Sequence, residues 1–396
     1  MRIGFVVPDD ATAWLYYRHL MEALTEAGAE ITVLSAPGPY VERIKNSGFR
    51  HVALPYARFV TPLSDIRLAM ALRKEFVRHR FDVVQNFTVK ANLYGAWAAA
   101  SAGVPAIINT VEGAGILWST NPSKRVRLMR DAVEAGLKLL RRYILLYWFV
   151  NRHDRDLFVR REIATVDRSI VAISTGVDTD TFNAAAVSAK SLDALRQEIG
   201  IAPGVPVLTM VAGRLLRSKG VEAFVELGRQ LRSAGIRVQL VLVGPEEADH
   251  PDALDRAIVT GAVGDGLLVW TGYRDDIPAI YALSDIVVVP TTYAEGIAKS
   301  VVEPMAMALP VICSFTPAID EMVEAGVDAI VLPANDDKAL FDAVMKLLTD
   351  EALRNRIGAA ARRSVELRFD ARREATAAAH RVYSMVPGWR NGLDET

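Results

Sequence analysis

Two carboxylates stand eight residues apart in the stretch "PTTYAEGIAKSVVEPMA" (290–306), between the apolar runs "DIVVVP" and "LPVICS". Acidic side chains are rarely buried without partners, so Glu295 and Glu303 need a reason to be in a segment that otherwise reads as a buried helix. A carboxylate only accepts hydrogen bonds, which suits hydroxyls and not phosphate. A helix over 297–307 would place Gly296 at its N-terminus, where backbone N–H groups and the helix dipole favour an anion. Glu295 would precede that helix, and Glu303 would sit two turns in, its side chain leaning back toward the same end. A nucleotide sugar, with hydroxyls on both sides of a diphosphate, fits such a set of groups.

Complementary cations occur in "VAGRLLRSKGVEAF" (211–224), where Arg214 and Lys219 flank four residues just after a strand-like run. With a helix expected to begin near Ser218, cations there oppose the macrodipole unless an anion is bound; the alternative is two solvated surface bases. "VLVGPEE" ends a further strand at Gly244, whose missing side chain lets a ligand approach the backbone. "TGYRDDIP" puts Tyr273 and Arg274 at the mouth of the next strand, where a plain surface turn is the competing reading.

Other chemistries are disfavoured. There is no Walker A sequence and no G-x-G-x-x-G turn after the first strand, which argues against an ATPase and a nicotinamide enzyme. The D-x-D pairs at 154–156 and 178–180 match a metal-ligand pattern, but one opens a charged helix and the other lies in a hinge. Both read as solvated surface, and no metal or other cofactor is expected.

These residues need elements to hold them. Short β-branched runs alternate with helix-period segments along all 396 residues. Strands are expected at 2–7, 30–34, 51–54, 82–85, 105–109, 145–150 and 169–172, then at 206–212, 237–244, 267–272, 285–290, 309–314 and 328–333. Continuous apolar strands joined by helices indicate parallel, doubly wound α/β units. The polar, weakly periodic segment 174–191 reads as a linker between two of them, with functional loops beyond the carboxyl ends of the strands. The expected divisions are 1–178, 179–370, and a closing helix over 371–396 that returns to the first domain.

A net charge of −1 gives no general attraction to nucleic acid, and the single cysteine, Cys313, fits a reducing cytosol. The strand at the N-terminus leaves no room for a signal peptide, and no apolar run is long enough to span a bilayer. The expectation is a cytoplasmic protein. The segment 124–142 mixes bases with large apolar groups, as peripheral membrane helices do; solvated helices beside a core strand are the alternative.

Taken together, Arg214-x4-Lys219, the stretch 272–312 and the hinge "STGVDTDTF" (174–182) resemble the retaining glycosyltransferases of family 4, across about 1–385. The resemblance implies a GT-B fold, two Rossmann-like α/β domains facing a central cleft. It also implies that Arg214 and Lys219 bind the donor diphosphate, that Glu295 contacts the transferred sugar, and that Glu303 binds the ribose. Gly213, Gly244, Tyr273 and Arg274 fall to the donor site, as do Gly296, Ile297 and Ser300. The first domain departs from the family. Asp9 and Asp10 stand where a Gly-Gly loop is usual, and "NTVEGAG" (109–115) puts Glu112 and Gly113 where a histidine and glycine are usual. These four are the acceptor-side candidates, and "VEG-small-G" looks like the subgroup that builds surface polysaccharides and lipid-linked glycans.

The activity implied is metal-independent transfer of a hexosyl or N-acetylhexosaminyl group, with retention, from a donor of the UDP-sugar type to a lipid-linked glycan acceptor. A GT-B nucleotide-sugar epimerase and a non-catalytic nucleotide-sugar-binding protein are the alternatives.

Overall fold

The computed structural model describes residues 1–57, 62–118, 123–293 and 295–389; Ala294 and residues 390–396 of the expected closing segment lie outside them. The chain divides into two units. The first holds Met1–Gly176, the residues Glu295 to Ile297, and the chain from Ala371 onward; the second holds Val177–Tyr293 and Ala298–Asp370.

In the first unit seven parallel strands, β1 (Arg2–Asp9), β2 (Glu30–Ala36), β3 (Arg50–Ala53), β4 (Val83–Phe87), β5 (Ala106–Val111), β6 (Leu146–Phe149) and β7 (Ser169–Val171), are ordered β3-β2-β1-β4-β5-β6-β7. The crossovers are α1 (Asp10–Glu26), α2 (Val41–Asn46), α3 (Pro62–His79), α4 (Thr88–Ser101), α5 (Lys124–Leu140) and α6 (Arg152–Arg160). Alternation of side chains along each strand feeds two cores. Ile3, Phe5 and Val7 pack with Tyr17, Leu20 and Leu24 of α1, while Val6, Leu34 and Val84 pack with Leu68, Leu72 and Phe76 of α3.

The second unit opens with α7 (Ala189–Ile199) and repeats the plan with six strands, ordered β10-β9-β8-β11-β12-β13. These are β8 (Val207–Val211), β9 (Gln239–Val243), β10 (Leu268–Trp270), β11 (Ile286–Val289), β12 (Val311–Ser314) and β13 (Ile330–Leu332). Its further helices are α8 (Val221–Ser233), α9 (Arg256–Gly264), α10 (Ile277–Ala282), α11 (Lys299–Ala306), α12 (Pro317–Met322), α13 (Asp337–Thr349) and α14 (Glu351–Arg368). Leu208, Met210 and Leu242 meet Phe224 and Leu227 of α8; Val207, Val241 and Val243 meet Leu195 of α7 and Ile280 of α10.

The helix α15 (Ala371–Tyr383) belongs to the first unit, where Ala375, Ala379 and Val382 join the α1 core and the Tyr383 hydroxyl donates to Gln85 Oε1 at 2.5 Å. Every expected strand is present within a few residues. The linker reading of 174–191 is corrected at its end. Ser188 caps α7 by accepting from the Ser191 amide, so helix resumes at Ala189. Upstream, Val177 N–H donates to the Phe369 carbonyl at 2.7 Å and Thr179 Oγ1 to Asp370 Oδ2 at 2.6 Å, which stitches the two chain crossings side by side.

Candidate functional site

In the second unit the strand order reverses at β8, flanked by β9 and β11. Open parallel sheets bind ligands in the crevice outside such a reversal, and the loops after β8 and β11 carry the expected cations and the "PTTYAEG" stretch. Thr292 N–H and Thr291 Oγ1 donate to the Ser218 carbonyl at 2.7 and 3.2 Å, and the Ser218 amide and hydroxyl both bond Asp252 Oδ2. Gly220 sits at φ +82° with its α-carbon hard against the Pro290 carbonyl, where a Cβ would collide. The helix expected near Ser218 is instead a single 3-10 turn, Arg217–Lys219, and α8 starts at Val221 because Gly220 breaks the run in the left-handed region. Lys219 holds its ammonium 4.8 Å from the centre of the Tyr293 ring. Arg214 is half-buried, and its guanidinium has no hydrogen-bond or ion-pair partner among the described residues. A partly desolvated guanidinium that no described residue compensates, at a strand-order reversal, is suited to an anion.

On the β11 side, α11 starts at Lys299, two residues later than expected, and Glu303 lies one turn in, not two. No side chain caps its N-terminus, since Ala298 is the N-cap, and Ser300 is half-buried in the first turn. Glu303 is half-buried, and desolvation raises its pKa to about 7, with Lys299 opposing. Nearby, the Tyr281 hydroxyl is buried without a hydrogen-bond partner among the described residues, and burial and then the Glu303 charge push its pKa up. A half-buried carboxyl near a hydroxyl that no described residue satisfies is a site short of hydrogen-bonding groups.

Other expected donor-side residues have different structural roles. Gly213 is exposed in the β8 loop. Gly244, at φ +141°, is glycine because the Ala212 carbonyl fills the space of a Cβ, and its N–H is spent on the Gly272 carbonyl at 2.8 Å. The close approach is thus chain against chain. Tyr273 is 67 % exposed. Arg274 is held by Asp276 at 2.6 and 2.7 Å and by Glu198 at 2.7 Å, bonds that raise its own pKa and depress that of Asp276.

The first unit reverses its strand order between β1 and β4, and Asp9 and Asp10 end up there. Asp9 caps α1 through the Thr12 amide at 2.7 Å; Asp10 is buried and accepts from the Tyr40 amide at 2.7 Å. After β5, Glu112 accepts from Ser174 Oγ at 2.6 Å and from the buried Tyr17 hydroxyl, whose pKa is raised by burial and then by that carboxylate. Gly113 follows at φ +144°. Glu295 and Ile297, both half-buried, cluster with this unit, and Gly296 lies against the Glu112 carbonyl and Val150 where no Cβ fits. Gly296 therefore does not open the N-terminus of α11 to a ligand; its small size lets the chain reach Glu112.

No sequence signal marked Ser174 and Tyr17, which fix Glu112, or a buried pair between α3 and the start of α4. There Thr88 opens α4 at φ +76° and Lys90 meets Asp65 at 2.8 Å. Lys90 stands two residues into a helix that follows a strand, whereas Lys219 lies in the turn before α8. The D-x-D pairs are occupied structurally. Asp154 accepts from Asn151 Nδ2 at 3.0 Å, Asp156 pairs with Arg155 at 2.7 Å, and Asp178 accepts from the amides of Asp180 and Thr181.

Residues 206–350 match the family model for glycosyl transferases group 1, and residues 3–145 that for glycosyl transferase 4-like. The chain is 25% identical over 355 residues to the Campylobacter jejuni N,N'-diacetylbacillosaminyl-diphospho-undecaprenol alpha-1,3-N-acetylgalactosaminyltransferase, covering 89% of this chain and 91% of the relative. It is also 25% identical over 317 residues to the Escherichia coli UDP-Gal:alpha-D-GlcNAc-diphosphoundecaprenol alpha-1,3-galactosyltransferase, covering 80% and 79%. Among solved structures, Anabaena HepE in complex with UDP-glucose superposes with a TM-score of 0.77 at 19% identity, over 97% of this chain and 99% of that one.

Proposed function

The chain belongs to the group 1 glycosyltransferases of GT-B fold, and from that premise we propose that it moves a sugar from a UDP-sugar to a polyprenyl-diphosphate-linked glycan. The transfer proceeds with retention at the cytoplasmic face of a membrane, in surface-polysaccharide or related glycan assembly. The observation that carries this reading is the half-buried Arg214 guanidinium, without a partner among the described residues, which shares with Lys219 a loop pinned to the β11 loop where the sheet of the second unit reverses its order. Relatives named for transfer to undecaprenyl-diphosphate-linked sugars, one of them from UDP-Gal, support the acceptor class and the donor.

The difficult step is cleavage of the bond from the anomeric carbon to the diphosphate. Arg214 and Lys219 hold the diphosphate and neutralise the charge that develops on it as it leaves. Glu303 accepts from the ribose hydroxyls, and Glu295 orients the sugar being moved. Fixed cations take the place that a metal has in other transferases. Turnover should therefore be unchanged in EDTA; activity lost to EDTA and restored by Mn2+ would remove the metal-free mechanism.

The reading is tested by incubating UDP-sugars with a polyprenyl-diphosphate-linked glycan and weighing the product. A glycan longer by one sugar is expected, whereas an epimerised nucleotide sugar formed without acceptor would replace transfer by epimerisation. A second check is a thermal-shift panel, since a ligand of the folded state raises its stability. UDP and UDP-sugars should raise the melting temperature more than ADP or GDP do, and equal shifts from UDP, ADP and GDP would refute the uridine preference. The helix α5 with its following turn, the expected 124–142 segment, is proposed as a peripheral membrane contact.

A further inference from the structure

We infer that α3 is the principal membrane-docking helix of this protein, its outer face seated on an anionic phospholipid surface. The inference rests on the proposed lipid-linked acceptor only for its purpose; its argument is the composition of one helix face. Among the α3 residues whose burial is described, the exposed ones are Leu63, Ile66, Arg67, Met70, Arg73, Lys74, Val77 and Arg78. Half are apolar, half are cationic, and none is acidic. At 100° per residue the apolar members lie within about a 60° arc, with Arg73 on one side and Arg67, Lys74 and Arg78 on the other. Leu63 is 75 % exposed, Ile66 61 %, Met70 52 % and Val77 53 %. Its acids face elsewhere: Asp65 is buried against Lys90, and Glu75 is tucked beside His79, with Arg78 approaching it at 3.7 Å.

The core does not require this pattern. Leu68, Leu72 and Phe76 already supply the buried stripe that packs against the sheet and α4. The helix thus carries a second apolar stripe, open to solvent, at a cost in solubility that a docking role explains. Four cations beside it repel a second copy of the same face, and the apolar arc is wasted on a nucleic acid. A negatively charged bilayer satisfies both, burying the apolar arc at the acyl boundary and placing the bases among the headgroups. Neighbouring helices extend the surface. α4 packs against both α3 and α5, with Trp97 exposed on α4 and Leu128 and Leu139 exposed on α5. α5, however, also exposes Asp131.

The test is flotation of the full-length protein with vesicles of phosphatidylglycerol and phosphatidylcholine, against vesicles of phosphatidylcholine alone. Wild-type protein should float with the anionic vesicles and lose binding as salt rises. Ile66→Ser/Met70→Ser should weaken binding at least about tenfold, and Arg67→Glu/Lys74→Glu should weaken it similarly and flatten the salt dependence. Because these side chains are exposed, melting temperatures should stay near wild type, and a folded variant is then read directly. Wild-type binding by both α3 variants would overturn the inference. So would loss of binding confined to Lys124→Glu/Arg127→Glu on α5, or a lipid-free dimer that the α3 variants dissociate. Vesicle binding is scored apart from turnover on a short-chain, water-soluble acceptor. Docking without any transfer would sink the proposed function and leave α3 as the docking helix, and transfer without docking would do the reverse.

Discussion

Arg214→Ala should lower the turnover number for sugar transfer about a hundredfold or more while leaving the protein folded and its melting temperature close to wild type. Removing one preorganised group that stabilises developing charge costs about 3 kcal/mol, which is two orders of magnitude in rate. The native fold loses little, because the guanidinium makes no hydrogen bond or ion pair among the described residues. Arg274 provides the contrast. Its guanidinium bridges Asp276 and Glu198, so Arg274→Ala should reduce stability measurably and turnover much less. Lysine at position 214 should restore only part of the rate, since an ammonium keeps the charge and loses the fork that matches a diphosphate. Turnover of Arg214→Ala within threefold of wild type, in a protein that still binds UDP-sugar, would rule out the leaving-group role. A reversed order of damage, with stability falling at 214 and rate at 274, would show that the two arginines had been assigned the wrong way round.

The strands were legible because parallel strands buried on both faces must be continuous apolar runs, as in "DIVVVP" and "PVLTMVA". The helix after "PTTYAEG" was harder to read. Its N-cap is Ala298, which offers no side-chain signal, and the chain just before it is drawn to Glu112 by contacts that no local pattern records. Gly244 reads as a point of close approach and Gly296 as an open helix N-terminus, but a glycine does not say whether the visitor is a ligand or another stretch of backbone. Arg214 and Arg274 look alike in sequence, each just beyond a strand; only the positions of Asp276 and Glu198 separate them. On α3 a 3.6-residue period was visible, yet the helix is apolar on two faces, and the sheet decides which of Leu68 and Met70 lies inside.

Glu303 is where the fold and the ligand make opposite demands, which gives the other large effect. Burial raises its carboxyl from the ordinary 4.5 to about 7. An acid whose pKa is higher folded than unfolded binds its proton more tightly in the native state. Its contribution is then most favourable below about pH 4.5 and is lost as the pH rises through 7. Above pH 7 the half-buried carboxylate costs the ligand-free protein at most on the order of 3 kcal/mol, at about 1.4 kcal/mol per pKa unit. Glu303→Gln, which cannot ionise, should therefore raise the melting temperature of the ligand-free protein at pH 8 and change it little at pH 5. Nucleotide binding reverses the preference. Two ribose hydroxyls donating to the ionised carboxylate form charge-assisted bonds worth about 1.5–3 kcal/mol each. Wild-type affinity for UDP should then climb from pH 6 to pH 8, with protons released on binding below pH 7. The glutamine variant should bind UDP about ten- to a hundredfold more weakly at pH 8 and show little pH dependence. Calorimetry in buffers of different ionisation enthalpy reads both the affinity and the proton count. A wild-type affinity that is flat across this range, matched by the glutamine variant, would take Glu303 off the ribose and leave its buried charge without a ligand to explain it.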